Sequence, residues 1–382
     1  MTERIFYTDV YCQRFEATVL ACQPQKKKGY EVVLDGTAFY PEGGGQPGDW
    51  GTLGGVAVTD TRERGDEIVH LTDKPLEVGA TVTGQLDWVH RFSLMQNHSG
   101  EHIVSGIIHR KTGGNNVGFH MGSDTITVDL DVELTAQELA EIEAEANAQV
   151  WANGVTHIFY PTAEEQKTLD YRSKKELTGD VRIVTFPGAD TCACCGTHVA
   201  RTGEIGLIKL LSVQKFREGC RIEMLCGDRA LAYVNRILEQ NHQISVALSA
   251  KPMKTAVSVE RLKAENAQMS YRLNEMEQAA FQQKADALAG AGEVLLFEPP
   301  MAPDSVRKLA VAVMEVCGGR FGVFAGDEES GYKYAIGQQD GDLGAFVKVM
   351  NQQLHGLGGG KPFFVQGSVA AKKTEIEAFW QG

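Results

Sequence analysis

Long hydrophobic runs are missing from this 382-residue chain: no stretch approaches membrane-spanning length. The start, Met1-Thr2-Glu3-Arg4-Ile5-Phe6-Tyr7-Thr8-Asp9, carries no apolar signal core, so a cytoplasmic location is expected. Cysteine is sparse. Eight thiols scattered along a chain of this length, without a secretion signal, exclude a disulfide framework. Cys12, Cys22, Cys220, Cys226 and Cys317 read as small buried hydrophobes, whereas Cys192, Cys194 and Cys195 crowd together. Positive charge is in deficit: the net charge of −13 excludes a protein that coats nucleic acid indiscriminately. The deficit reverses locally, because Arg172 to Arg221 holds nine Lys or Arg (172, 174, 175, 182, 201, 209, 215, 217, 221) against five acids (176, 180, 190, 204, 218), a balance of +4. The glycine-rich stretch Tyr40 to Gly48 lacks the Gly-Lys-Ser/Thr of a phosphate loop. What remains is ordinary soluble composition, 43% hydrophobic, in a chain long enough for two or three domains.

Within it, Asn97-His98-Ser99-Gly100-Glu101-His102 stands out. At helical period His98 and His102 are i and i+4, so their imidazoles share one face and can share one metal ion. Cys194-Cys195-Gly196-Thr197-His198 offers a thiolate and a third imidazole across a glycine turn. Three nitrogens and one sulfur form a tetrahedral set suited to Zn2+. Four protein ligands make a closed, structural site; if only three bind at once, a water can take the open position. His109, seven residues past His102, competes as a ligand but lies about 10 Å along the axis. The same stretch is also literally H-x-x-E-H, the inverted zincin signature, which would make the chain a metallopeptidase with Glu101 as base.

These residues resemble the editing domain of alanyl-tRNA synthetases and the free-standing alanyl-tRNA editing proteins. That family carries HxxxH on a helix and a downstream Cys-Gly-Gly-Thr-His, here with Cys195 in place of the first glycine. Phe39-Tyr40-Pro41-Glu42-Gly43-Gly44-Gly45-Gln46-Pro47-Gly48-Asp49 is similar to the family's glycine motif, and Gly358-Gly359-Gly360-Lys361-Pro362 to the glycine-rich turn of its C-terminal domain. The resemblance implies an ATP-independent hydrolase in translation fidelity: a zinc-assisted aminoacyl-tRNA deacylase cleaving the ester between serine or glycine and alanine tRNA. A pocket sized for alanine cannot exclude glycine and only weakly rejects an added hydroxyl, so a second, hydrolytic sieve is needed. The implied zinc ligands are His98, His102, Cys194 and His198. The implied tRNA contacts are Gly43, Gly44, Gly45 and Gln46 near the acceptor end, and Lys361 on a backbone phosphate. Glu101 and His120 are the candidate catalytic groups, Glu101 as base and His120 lining the acyl pocket; the family requires no carboxylate at Glu101, which points about 100° away from His102. Only 38 residues precede Phe39, too few for an activation core, so no aminoacylation is expected. A non-catalytic tRNA-binding protein stapled by zinc is the remaining alternative.

The fold class expected is α+β. Residues 1–88 read as a small β-barrel, with strands Arg14 to Ala21, Gly29 to Leu34, Gly55 to Asp60, Glu67 to Leu71 and Thr81 to Leu86, and a hairpin tip at Lys26-Lys27-Lys28. Residues 89–227 form the α+β editing domain. Its first helix buries Phe92, Met95, Val104, Ile107 and Ile108; Asn116 to His120 follows as strand or loop. Thr135-Ala136-Gln137-Glu138 is a capping box, opening a helix whose acidic face (Glu141, Glu143, Glu145) reads as solvated. Residues 228–290 form a helical hairpin or coiled-coil linker. Val259, Leu262, Asn266, Met269, Leu273, Met276 and Ala280 fall at a and d positions, which allows either an intramolecular hairpin or a homodimer. Residues 291–382 alternate strand and helix as a C-terminal α/β domain, which in the family contacts tRNA and supports self-association.

Overall fold

A computed structural model describes residues 2–25, 28–173 and 181–382. The hairpin tip at Lys26 and Lys27 and the basic residues Lys174 and Lys175 therefore lie outside the described residues. The fold is mixed α+β, in two compact units, Met1–Asn241 and His242–Gly382. No helix among the described residues is long and apolar enough to cross a membrane.

In the first unit, six antiparallel strands close into a ring in the order Arg14–Pro24, Tyr30–Leu34, Glu67–Thr72, Val56–Arg64, Gly51–Leu53, Thr81–Leu86. Alternation along these strands turns Phe15, Val19, Val32, Leu34, Val58 and Val82 into the interior. The ring closes through Gly51–Leu53, a strand of three residues too short to announce itself by alternation.

The helix Trp88–Thr112 follows, capped by the Asp87 carboxylate on the His90 amide and stopped by Gly113 at φ 75°. Its middle is buried all round, from Leu94 to Ile108, because it runs between a four-stranded sheet and a three-stranded one. The four strands are ordered Ile208–Phe216, Gly219–Cys226, Ile126–Leu130, Asn116–Met121; the three are His157–Phe159, Ile183–Phe186, Asp190–Ala193. Close approach to the smaller sheet depends on Gly106, where a Cβ would stand 2.3 Å from the Ala189 carbonyl oxygen. The capping box at Thr135 and Glu138 forms as the sequence requires. On the face read as solvated, Glu143 is instead held by Lys209 Nζ at 2.7 Å and the Leu210 amide at 2.6 Å, tying this helix to the sheet.

In the second unit, a five-stranded sheet runs Gly292–Glu298, Gly318–Asp327, Gly331–Gly337, Phe364–Val369, Leu357–Lys361. Only the first pair is parallel, joined through the helix Pro303–Cys317; the others are antiparallel. The alternating pattern thus yields one βαβ crossover within an α+β unit rather than a parallel α/β sheet. A second correction concerns Gly358 to Lys361, which form an edge strand, not a turn. Their missing side chains let the strand lie close: a Cβ on Gly358 would meet the Tyr334 hydroxyl at 2.3 Å, and one on Gly360 the Phe364 carbonyl oxygen at 2.4 Å.

Candidate metal centre

His98 and His102 project from the middle of the long helix, one turn apart. Cys194 and His198 come from the segment after the Asp190–Ala193 strand, and the four side chains offer donor atoms within 4.8 Å of one another. The three imidazoles pack with ring centroids 4.7 to 5.3 Å apart, and Cys194 Sγ lies 3.5 Å from His98 Nε2.

Each half of the set is held by groups behind it. His98 Nδ1–H donates to Gln46 Oε1 at 2.9 Å, leaving Nε2 to face the cluster. Gln46, fully buried, is itself fixed by donating Nε2 to Thr197 Oγ1 at 2.8 Å and accepting the Thr197 amide at 3.1 Å. His102 Nδ1–H donates to Asp190 Oδ2 at 2.9 Å, and Arg172 clamps that carboxylate through Nε and Nη2, both at 2.8 Å. The ligand turn is pinned by Arg182, whose Nη1 donates to the carbonyls of Cys194 (2.8 Å) and Gly196 (3.0 Å), and by the Tyr7 hydroxyl on the Cys195 carbonyl at 2.9 Å. Gly196 admits no side chain, since a Cβ there would sit 2.1 Å from His98 Cε1. Cys195 is exposed, which is why a thiol is tolerated where the family has glycine.

Titration follows from this geometry. Burial opposes the Cys194 thiolate, but the three histidines around it pull its pKa well below the usual thiol range. Burial also works against a charged His102, yet the Cys194 charge and the Asp190 bond hold its pKa well above the ordinary imidazole value. Burial dominates at His198, whose pKa falls to about 3, so it is neutral. Neither nitrogen of His198 has a hydrogen-bond partner among the described residues, although both are buried. Orphaned imidazole nitrogens aimed among a thiolate and two histidines of fixed tautomer fit a Zn2+ ion, whose thiolate and imidazole preferences match this donor set.

The remaining candidates fall elsewhere. Glu101 is buried and accepts from Ser105 Oγ at 2.5 Å and from Asn116 Nδ2, outside the group of four, whereas the metallopeptidase reading needs it beside the histidines as a base. His120 is exposed on its strand; its neighbour Phe119 is the residue that packs against His98, with centroids 5.3 Å apart. His109 bonds the Gly114 carbonyl near the helix end, at 3.2 Å. Of the glycine motif, Gly44 faces open space at φ 62°, and Gly45 lies against Phe119. Lys361 is exposed on the edge strand of the second unit. Sequence reasoning missed Asp190, Arg172 and Phe119, and gave Gln46 to the substrate rather than to His98.

Residues 181–223, which carry the Cys/His turn, match the threonyl and alanyl tRNA synthetase second additional domain, and residues 4–90 match the class II (A) tRNA synthetases. The alanyl-tRNA editing protein AlaX-L of Pyrococcus horikoshii is 29% identical over 98% of this chain and 96% of its own length. Over nearly its whole length the chain is similar to alanyl-tRNA editing proteins. A second editing protein, Aarsd1-A of Xenopus laevis, is 27% identical over 98% of this chain and 96% of its own. The alanine–tRNA ligase of Ignicoccus hospitalis is 32% identical over 69% of this chain but only 30% of its own length. The editing-protein match thus spans the glycine motif, the helix with its paired histidines and the Cys/His turn together.

Proposed function

We propose that this chain is an ester hydrolase that deacylates alanine tRNA mischarged with serine or glycine, acting in trans and without ATP. The observation that carries the reading is the cluster His98, His102, Cys194 and His198, with neither buried His198 nitrogen partnered among the described residues. Zn2+ held there supplies either a Lewis acid for the ester carbonyl or an anchor for the terminal adenosine. The chain's own contribution is positional. Gln46 and Asp190 keep Nε2 of His98 and His102 turned toward the cluster, and Arg182 with Tyr7 keeps the Cys194 turn in place. Gly44, which faces open space between Gly43 and Gly45, leaves room for the acceptor end, and burial of the cluster limits the water that reaches it. An ester with a ribose hydroxyl as leaving group needs only an oriented water, so no carboxylate base is assigned. In the second unit, Lys361 is assigned to a tRNA phosphate, and the exposed apolar face of the helix Thr255–Asp286 to self-association.

Incubation with seryl-, glycyl- and alanyl-charged alanine tRNA tests the proposal. Ester loss from the seryl or glycyl form, sparing the alanyl form and suppressed by chelator, is expected. Inertness toward all three overturns it, and tight tRNA binding alongside that inertness identifies a zinc-stapled binding protein instead.

A further inference from the structure

The glycine loop that holds His98 holds a second structure two residues on. The Gly48 carbonyl accepts from His90 Nε2 at 3.3 Å, and His90 lies flat against Trp50, with centroids 3.4 Å apart and planes 18° from parallel. Trp50 is fixed in its own plane, because Nε1–H donates to Asp87 Oδ2 at 3.1 Å and its carbonyl accepts the Asp87 amide at 2.9 Å. Yet it is 41% exposed, and with His90 covering one face the accessible area is left to the other face and the edge.

A large aromatic held rigid and left open is unusual, since burying the ring would release more free energy than exposing it. One cation, Arg229, stands close, among three carboxylates: Asp87 on Trp50 itself, Asp49 paired with Arg91, and Asp228 on Ser93. Arg229 stands near enough to join burial in lowering the His90 pKa, against Asp49 and Asp87, and is aimed by bonds to Ser93 Oγ (3.2 Å) and the Gly122 carbonyl (2.8 Å). Met121, beside Gly122, donates its amide to the Gly45 carbonyl at 3.3 Å, and Gly45 touches Phe119, which packs on His98. A chain of contacts thus runs from the His/Cys cluster through Phe119, Gly45 and Met121 to Gly122 and Arg229. His90 and His98 are eight residues apart on one helix, roughly 12 Å along its axis.

We propose that the Trp50–His90 stack is a base platform for the unpaired 3′ tail of the tRNA: one base of the tail lies on the exposed face of Trp50, with Arg229 beside its backbone, while the terminal nucleotide reaches the metal cluster. Every base has a π face, so the platform positions the ester without reading sequence. This inference rests on the deacylase reading for its substrate, and the quenching arm of its test is independent of that reading.

Trp50→Leu and Trp50→Phe separate the two. With seryl-charged alanine tRNA, Trp50→Leu is expected to raise KM about 5- to 100-fold at nearly unchanged kcat, and Trp50→Phe to restore most of the loss. Hydrolysis of 3′-O-seryladenosine, which has no tail, should be the same in wild type and Trp50→Leu, excluding a folding defect. Independently of hydrolysis, an RNA oligonucleotide ending in the tail sequence and carrying 2-aminopurine should be quenched by wild type and not by Trp50→Leu. Unchanged KM and unchanged quenching in Trp50→Leu overturn the platform while active wild-type enzyme leaves the deacylase standing. Trp50-dependent quenching by a wild-type protein inert toward every ester has the opposite meaning, and absence of both quenching and hydrolysis removes both.

Discussion

Asp190 stands outside the group of four, yet it orients His102 toward it. With its carboxylate as acceptor, Nδ1 of His102 keeps its proton and Nε2 is turned toward the cluster. In Asp190→Asn the amide is a poorer acceptor and releases Arg172 as well, so zinc affinity should fall about 10- to 100-fold with the fold intact, as competition with a chromogenic chelator would measure. His70, inside the barrel, gives a different reading of the same physics. Its Nδ1–H donates to the Val32 carbonyl at 3.1 Å, Nε2 meets the Thr37 hydroxyl at 2.8 Å, and burial lowers its pKa to about 4 from 6.5. The unfolded chain takes up the proton first, so this contribution is complete above pH 6.5 and is lost as pH falls toward 4. The loss amounts to about 3 kcal/mol. His70→Gln should flatten that part of the stability profile in urea titrations from pH 7 to pH 4.

At the scale of elements, the helix Trp88–Thr112 is locked to the glycine loop by one buried ion pair. Arg91 donates Nε to Asp49 Oδ2 at 2.8 Å and Nη2 to the Ala38 carbonyl at 2.6 Å, and Asp49 also accepts the Tyr40 amide at 2.6 Å. Arg91→Ala strands a buried carboxylate and should cost about 3–5 kcal/mol, while also loosening Gln46 against His98; denaturant midpoints and zinc content would record the two effects. What the sequence made legible follows from locality. His98 and His102 were readable because i, i+4 spacing fixes a shared face, and the Thr135 capping box because all its partners lie within four residues. The barrel strands were readable where alternation ran long enough. Gln46, Asp190 and Arg172 were not, since each gains its role only when a segment 52, 88 or 18 residues away is folded against it. Glycine misled at Gly358 to Gly360, where it serves close strand packing instead of a turn.

For the whole molecule, the second unit leaves an apolar stripe uncovered. Val259, Leu262, Met269, Leu273 and Met276 of the helix Thr255–Asp286 are 38% to 66% exposed, at the spacing of a coiled-coil seam. If this stripe pairs two copies, sedimentation equilibrium should find a dimer that Leu273→Glu converts to monomer; a monomeric wild type would refute the pairing. The metal centre has a temporal counterpart. Its two halves are separated by 96 residues of chain, so a ribosome that has released His98 and His102 has still to make Cys194 and His198. At about 5–20 residues per second, the nascent protein spends roughly 5–20 s with a two-histidine half-site that cannot retain zinc firmly. If the cluster takes zinc, its loading is a late event in biogenesis, and a shortage of the ion would be felt as unfinished protein rather than as lost activity of a mature one.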